Sequence, residues 1–455
     1  MRDVSKIEIF EESVVTRVTN LSADGGATDL TPPVQSTEGT AVRLWTQAGV
    51  VGAAVIGRGP LAAEHALALV SAKAGTRQHT PVAPHALTSP FWNDMPDLPY
   101  PHDALDSLEA VLNGLSARGI RSRAHFHDVE QRIAVTVEGG DGDTTRQSET
   151  RRRSGLAVDL EVKTSDHRLI RTERNLGASS PARELDWAFL EHELFKFIEL
   201  SQKLRTARVV DSGEHVVVFE EVPAGVLFHE AIGHLLERRP DGGGCAELRL
   251  PLGSVVSDVP LTVSDEATMP YLFGSRAIDD CGVASTEIAL VTEGRVSGQL
   301  GKGSAPERSA TIRRESFRHP PLTRISNTVV ASGSGTPDDF CQDMRNGLLV
   351  SKVVQGFFEP STAMLTFAVA EASLIRGGVI DHALLPFVIE CDAVALLRSL
   401  RGVGVKRSAT AAYCDSLGSI VPTGTLTPAC YCGPLRVRPV DRTVLSPLAT
   451  RVGKC

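Results

Sequence analysis

The sequence predicts an α+β protein of two domains: an N-terminal mixed α/β domain over residues 1–205 and a β-rich C-terminal domain over 206–455 that carries a candidate metal-binding helix. Three features lead there. Runs rich in β-branched residues alternate with helix-forming stretches through the first two hundred residues. A long helical pattern free of proline and glycine closes that half. From Val209 onward, short strand-like runs and turns dominate.

Ile7 to Leu21 reads as extended because β-branched residues recur through it. Thr40 to Gly57 reads as a hairpin of two strands, with Gln47-Ala48-Gly49 at the turn. Pro60 to Ala74 sets Leu61, Ala66, Leu67 and Val70 at helical spacing behind a first-turn proline. A proline-rich loop spans Pro81 to Pro101, and Asp103 to Arg118 forms a second amphipathic helix ending near Gly119. Arg123 to Val137 and Leu156 to Thr164 read as strands. The polar stretch Gly139–Ser154 between them reads as a hairpin tip, with Arg151-Arg152-Arg153 as a solvated loop. Glu184 to Arg205 carries apolar residues at 187, 190, 194, 195, 198 and 200, roughly one helical face. In the second half, the segment around His229–His234 and Pro337 to Leu348 are the helical exceptions.

Composition bounds the function. The apolar fraction of 42%, the charged fraction of 22% and a mean hydropathy near zero describe an ordinary globular chain. A net charge of −8 without a basic stripe speaks against a nucleic-acid partner. No apolar run approaches the roughly 20 residues that span a bilayer. Met1 to Lys6 lacks a signal-peptide pattern, so no membrane and a cytoplasmic location are expected. Eight cysteines are too sparse for a disulfide scaffold and read as buried thiols or ligands.

The chemistry centres on His229-Glu230-Ala231-Ile232-Gly233-His234. A zinc hydrolase needs three protein ligands, an open position for water, and a base to take the water's proton. The two histidines offer imidazoles, and Glu230 sits beside the first. The apolar run Gly225-Val226-Leu227-Phe228 puts the start of this helix inside the protein. Side chains five residues apart diverge by about 140° around an α-helix, so both can bind one ion only where the helix widens into a π-type turn. Gly233, inside the interval, makes that distortion cheap. The spacing by itself is unspecific, and histidines that cap or bond locally would give the same pattern.

Downstream motifs are more specific. Gly225 to Glu237 (GVLFHEAIGHLLE) resembles the signature helix of the TldD/PmbA family, zinc metallopeptidase-like proteins also called modulators of DNA gyrase. Ala277-Ile278-Asp279-Asp280 with Gly282, Arg313-Arg314-Glu315-Ser316-Phe317 and Arg324-Ile325-Ser326-Asn327-Thr328 are similar to that family's ordered motifs. So are Thr366-Phe367 and Ala370-Glu371-Ala372, and the similarity spans roughly 170–430. The resemblance implies a third zinc ligand in a C-terminal cysteine segment. Cys432-Gly433 matches its Cys-Gly pair, whereas Cys414 with Gly418, Pro422, Gly424 and Pro428 reproduces the remaining spacing, and Cys414 is chosen. Asp415, Ser416 and Ser419 depart from the family pattern, as does Cys281, where glutamate is common.

The same resemblance implies a zinc-dependent peptidase or amide hydrolase with His229, His234 and Cys414 as ligands and Glu230 as general base. It implies a homologous partner subunit lacking the HExxxH motif. Expected substrates are short or unfolded peptides, or a peptide-like natural-product intermediate; the contrasting reading is a metal-stabilised, non-catalytic subunit. Arg314 and Asn327 are expected to orient a substrate carbonyl. Several readings stay open: Arg324 with Glu315 as a buried pair, Glu237 as support for the site or partner of Arg238, and Asp279 and Asp280 as turn residues or partners of a ligand histidine. His319, ahead of two prolines, reads as a loop histidine, and His79, His85, His125, His127 and His215 have no ligand-like company.

Overall fold

In the computed structural model, residues 4–22, 34–46, 49–74, 102–139, 142–180, 185–238, 250–301 and 311–440 are described. The proline-rich loop expected at Pro81–Pro101, His79, His85, the turn residues Gln47-Ala48, the helix-start residue Glu184 and Cys455 lie outside them. The first six strands are β1 (Val4–Ser22), β2 (Val34–Thr46), β3 (Gly49–Ile56), β4 (Ile120–Gly139), β5 (Thr144–Lys163) and β6 (Leu169–Ala178). They form one antiparallel sheet in the order β3-β2-β1-β4-β5-β6.

Side-chain alternation gives this sheet two buried faces. On one, α1 (Pro60–Ala74) seats Ala66, Leu67 and Val70 against Ile7, Ile9, Val42 and Leu44. Further along the same face, α2 (His102–Ser116) and α3 (Trp187–Leu204) cover Phe126, Leu156 and Val158 with Leu108, Leu112, Leu194 and Phe197. Asp186 caps α3 by accepting from the Phe189 N–H. The opposite face, with Phe10, Ile133 and Val135, meets Ile278 and Phe317 of the C-terminal half.

That second face corrects one sequence expectation. Gly139–Ser154 is no long hairpin tip, because β4 and β5 pair from Glu138↔Thr144 onward. Arg151 and Arg153 are buried, and only Arg152 of the three points outward. Arg151 donates to Asp280 and to the Ile278 carbonyl, both at 2.7 Å. Polar residues at every second position serve a polar joint as readily as solvent, and local sequence does not distinguish the two.

The remaining strands are β7 (Gly213–Phe219), β8 (Val263–Glu266), β9 (Glu287–Thr292), β10 (Arg295–Val296), β11 (Ile312–Arg313), β12 (Leu322–Thr323), β13 (Asn327–Val330), β14 (Gly347–Glu359), β15 (Met364–Arg376), β16 (Val379–Leu384), β17 (Phe387–Asp392), β18 (Leu400–Ser416) and β19 (Ser419–Pro439). All but β11 and β12 belong to an 11-stranded mixed sheet. Within it the pairings β7–β14–β15–β17–β19 return to β7 and close a ring. Helix α4 (Glu221–Phe228) packs Ala224, Leu227 and Phe228 into the core beside Phe219, Val350 and Phe367. It is apolar nearly all round, as a helix enclosed by sheet must be. Two short helices, α5 (Pro337–Met344) and α6 (Ala393–Arg398), complete the half. α5 stops short of the expected Leu348 because Arg345 takes a positive φ and β14 begins.

Buried ion pairs bind the halves together. Glu8 of β1 accepts from Arg43 at 2.8 Å and from Arg314 at 2.7 Å, with Arg314 almost wholly out of solvent. Arg174 of β6 grips Glu371 of β15 in a bidentate pair at 2.7 and 3.0 Å. Burial pushes the Glu8 carboxyl up, but Arg314 and Arg43 outweigh it and hold the group below the ordinary 4.5. A carboxyl held low in the fold contributes stability that is complete above 4.5 and is lost as pH falls through its lowered value. Wild type should therefore exceed Glu8→Gln by about 3–5 kcal/mol in urea unfolding at neutral pH. The gap should narrow on acidification below 4.5; a gap unchanged down to about pH 3 would show that charge is not what Glu8 contributes.

Candidate metal centre

Helix α4 does not stop at Phe228. His229–His234 continues it as a single π-helical turn, the widening that the five-residue histidine spacing required. The two imidazole rings thereby come to 4.9 Å between centroids, at 86° to one another. Gly233 serves this turn differently from expectation. Its φ is not among the positive ones, and what it supplies is space: a Cβ there would lie 2.7 Å from Ile325 Cδ1.

Cys414 arrives from β18, opposite Val421 of β19. The tight turn joining these strands sets Leu417 and Gly418 at φ 57° and 72°, the left-handed pair of a type I′ hairpin. His229, His234 and Cys414 each bring a ligand atom within 4.8 Å of the others, and Cys414 Sγ is 3.2 Å from His234 Nε2. Cys432 lies elsewhere, in the apolar core beside Val217 and Leu400, with Cys430 two residues away on the same strand. Tetrahedral bonds of ~2.0 Å to nitrogen and ~2.3 Å to sulfur separate such atoms by about 3.5 Å, so the donor set fits one zinc ion.

Glu230 projects from the same turn. Its Oε2 is 4.0 Å from His234 Nε2, and its Cγ rests against Gly356 of β14, where a Cβ would intrude to 2.7 Å. Burial raises the Glu230 carboxyl above its ordinary value, against the lowering influence of His234 and His229. Burial also opposes charge on the other two groups. There the Cys414 thiolate and Glu237 hold His234 well above the usual imidazole range, while His234 and His229 hold Cys414 well below the usual thiol range. Binding a cation here would use the thiolate and neutral imidazoles, so it would be coupled to proton release.

Supporting residues lie one layer out. Glu237 Oε2 is 2.8 Å from His234 Nδ1, which leaves Nε2 toward the cluster. Thr328 Oγ1 is 3.5 Å from His229 Nδ1. Arg324 donates to Cys414 Sγ at 3.0 Å and faces Glu237 at 3.4 Å. Its carboxylate partner is thus Glu237, while Glu315 accepts from the Ile420 N–H at 2.8 Å. Asp279 accepts from the N–H groups of Cys281 and Val283, as a turn residue does. Asp280 takes Arg151 and the Arg314 N–H. His319 stays in a loop, bonded to Ser316.

Arg314 and Asn327, expected at a substrate carbonyl, are engaged elsewhere. Arg314 is turned to Glu8 across the joint. Asn327 accepts from the Gly274 N–H at 2.9 Å and donates to the Glu266 carbonyl at 2.6 Å and Ser275 Oγ at 3.0 Å, fully buried. Arg324, Thr328 and Gly356 carry support that sequence reasoning left unassigned, and Glu237 takes the supporting position that reading had left open. For Glu237 a signal existed, since it follows His234 by three residues on a helical segment.

Residues 212–438, which include every group of this cluster, match the family model described as the PmbA/TldA metallopeptidase C-terminal domain. The chain belongs to the PmbA/TldD family. Among curated PmbA/TldD relatives, a metalloprotease of Archaeoglobus fulgidus is 25% identical over 246 residues, covering 53% of this chain and 57% of its own. A zinc metalloprotease TldD homolog of Saccharolobus solfataricus is 24% identical over 222 residues, covering 46% and 48%. The chain spans about half the length of the curated relatives it matches. The solved structure of TldE from Thermococcus kodakarensis superposes with a TM-score of 0.67 over 95% of this chain and 96% of that one, at 14% identity, which shows a shared fold.

Two tests address this centre in the PmbA/TldD chain. Cys414→Ser should purify with its zinc content reduced from about one ion per chain toward zero, whereas Cys432→Ser should retain it; elemental analysis that returned the reverse would assign the ligand to Cys432. Gly233→Ala should lower stability by about 1–3 kcal/mol through overpacking on Ile325. Adding Ile325→Val should recover part of that loss in thermal unfolding, and no recovery would show that the turn needs glycine for its backbone.

Proposed function

We propose that this PmbA/TldD protein is a zinc-dependent peptidase or amide hydrolase, with His229, His234 and Cys414 holding the ion and Glu230 as the catalytic base. The observation that carries the proposal is Glu230 itself. A structural zinc site gains nothing from a carboxylate beside its ligands, and Glu230, mostly withdrawn from solvent, sits in one helical turn with both histidines, where desolvation raises its carboxyl. When bound, zinc supplies a Lewis acid that polarises an amide carbonyl and acidifies water. Glu230 would accept a proton from water at the cluster and pass it to the leaving amine. Glu237 fixes the His234 tautomer throughout. Arg314 and Asn327 are bonded to Glu8 and to the Gly274 N–H, and a role for them toward the substrate carbonyl is part of this proposal.

The substrates we propose are short or unfolded peptides, or a peptide-like natural-product intermediate. The assembly we propose is a pair with a homologous subunit lacking HExxxH, consistent with the fold shared with a TldE protein. No described helix is long and apolar enough to cross a membrane. Six described cysteines are free thiols, which suits a reducing compartment such as the cytoplasm. A net charge of −8 favours a peptide partner over a nucleic acid.

Glu230→Gln should keep its zinc and lose about 10²–10⁴-fold of its turnover of a short peptide, measured with the partner subunit present. Equal turnover by wild type and variant, both zinc-loaded, would instead identify a non-catalytic subunit stabilised by its metal.

A further inference from the structure

Among the described residues, Arg324 is the largest side chain wholly withdrawn from solvent. A guanidinium in that position must place its donors on acceptors or leave a large desolvation cost unmet. Three of its contacts secure the β18–β19 hairpin: the carbonyls of Cys414 at 2.8 Å, Ser416 at 3.1 Å, and Ser419. The other two reach metal-site groups. Nη2 lies 3.0 Å from Cys414 Sγ, and Nε lies 3.4 Å from Glu237 Oε1, whose second oxygen is 2.8 Å from His234 Nδ1. Hairpin closure accounts for the carbonyl contacts and leaves the sulfur and carboxylate contacts without a structural purpose. The neighbouring residues on the same short segment reinforce the pattern, since Ile325 packs on Gly233 and Thr328 faces His229.

We propose that Arg324 is a positioning residue of the metal centre, whose planar fork aims the Cys414 thiolate and, through Glu237, the His234 ring at one point. The inference rests on the zinc-site reading above. An N–H bond to sulfur withdraws charge from the thiolate, while the Glu237 carboxylate makes the imidazole a stronger donor. Arg324 thereby balances a soft ligand against a hard one and joins two elements, the π turn and β18, that are 180 residues apart in sequence. Lysine carries the charge without the fork and cannot serve sulfur, carbonyls and carboxylate at once.

The test uses the full chain loaded with cobalt(II), whose sulfur-to-metal absorption in the near ultraviolet reports charge on the thiolate. Arg324→Lys and Arg324→Gln should bind zinc about 10–100-fold more weakly in chelator competition, and their cobalt band should move to lower energy as the N–H···S bond is lost. Glu237→Gln should weaken binding to a similar degree with the sulfur band near its original position, because it acts on His234. Folded Arg324 variants with wild-type zinc affinity and an unshifted band would overturn the proposal and reduce Arg324 to a hairpin plug. If neither Arg324 variant folds, Glu237→Gln decides: a loss of about tenfold or more supports the shared clasp, and wild-type affinity overturns it. A wild-type chain that takes up neither cobalt nor zinc would refute the zinc-site reading instead.

Discussion

The helix that carries His229, Glu230 and His234 runs through an apolar core, and any charge placed there must meet a partner or be given up. That constraint organises much of the C-terminal half. Glu237 and Thr328 are required at the outer nitrogens of the two imidazoles. Cys414 must sit where its thiolate can face both rings, and Arg324 must sit where it can answer the thiolate and Glu237 together. The same enclosure explains two glycines. Gly356 leaves room for the Glu230 side chain, and Gly233 leaves room for Ile325 beneath the widened turn.

A second layer of buried charge performs a different task. The N-terminal sheet meets the C-terminal half through Glu8–Arg314, Arg151–Asp280 and Arg174–Glu371, all largely withdrawn from water. Such pairs add little net stability over well-packed apolar residues, but losing one partner is severe, so they specify one mode of docking. Residues belonging to family-like motifs, Arg314 and Asp280 among them, are committed to this joint. A residue of a family-like motif can therefore be tied into the scaffold that positions the metal cluster.

How far the chain could be read in advance varied with the range of the interactions involved. The helices α1 and α3 showed in apolar spacing, and α3 also follows an Asp at its cap. The widened turn was legible because two histidines five apart cannot otherwise share an ion, and a helix geometry argument needs only local residues. Arg151 and Arg153 were misread for the opposite reason. Their run looks solvated until β5 is seen to press one face against residues more than a hundred positions away.

Sequence by itself determined the α+β class, tied a shared ion at His229 and His234 to a π turn and, through the family-like spacing of Gly418, Pro422, Gly424 and Pro428, favoured Cys414 among the cysteines. These depend on periodicity, turn chemistry and motif order, all of which are written along the chain. Only the tertiary structure decided that Glu237 serves His234, that Arg324 answers Cys414, and that Arg314 and Asn327 are held in structural bonds. A buried charge takes whichever opposite group the fold brings within reach, and for Arg324 that group came from a hairpin some 90 residues further on.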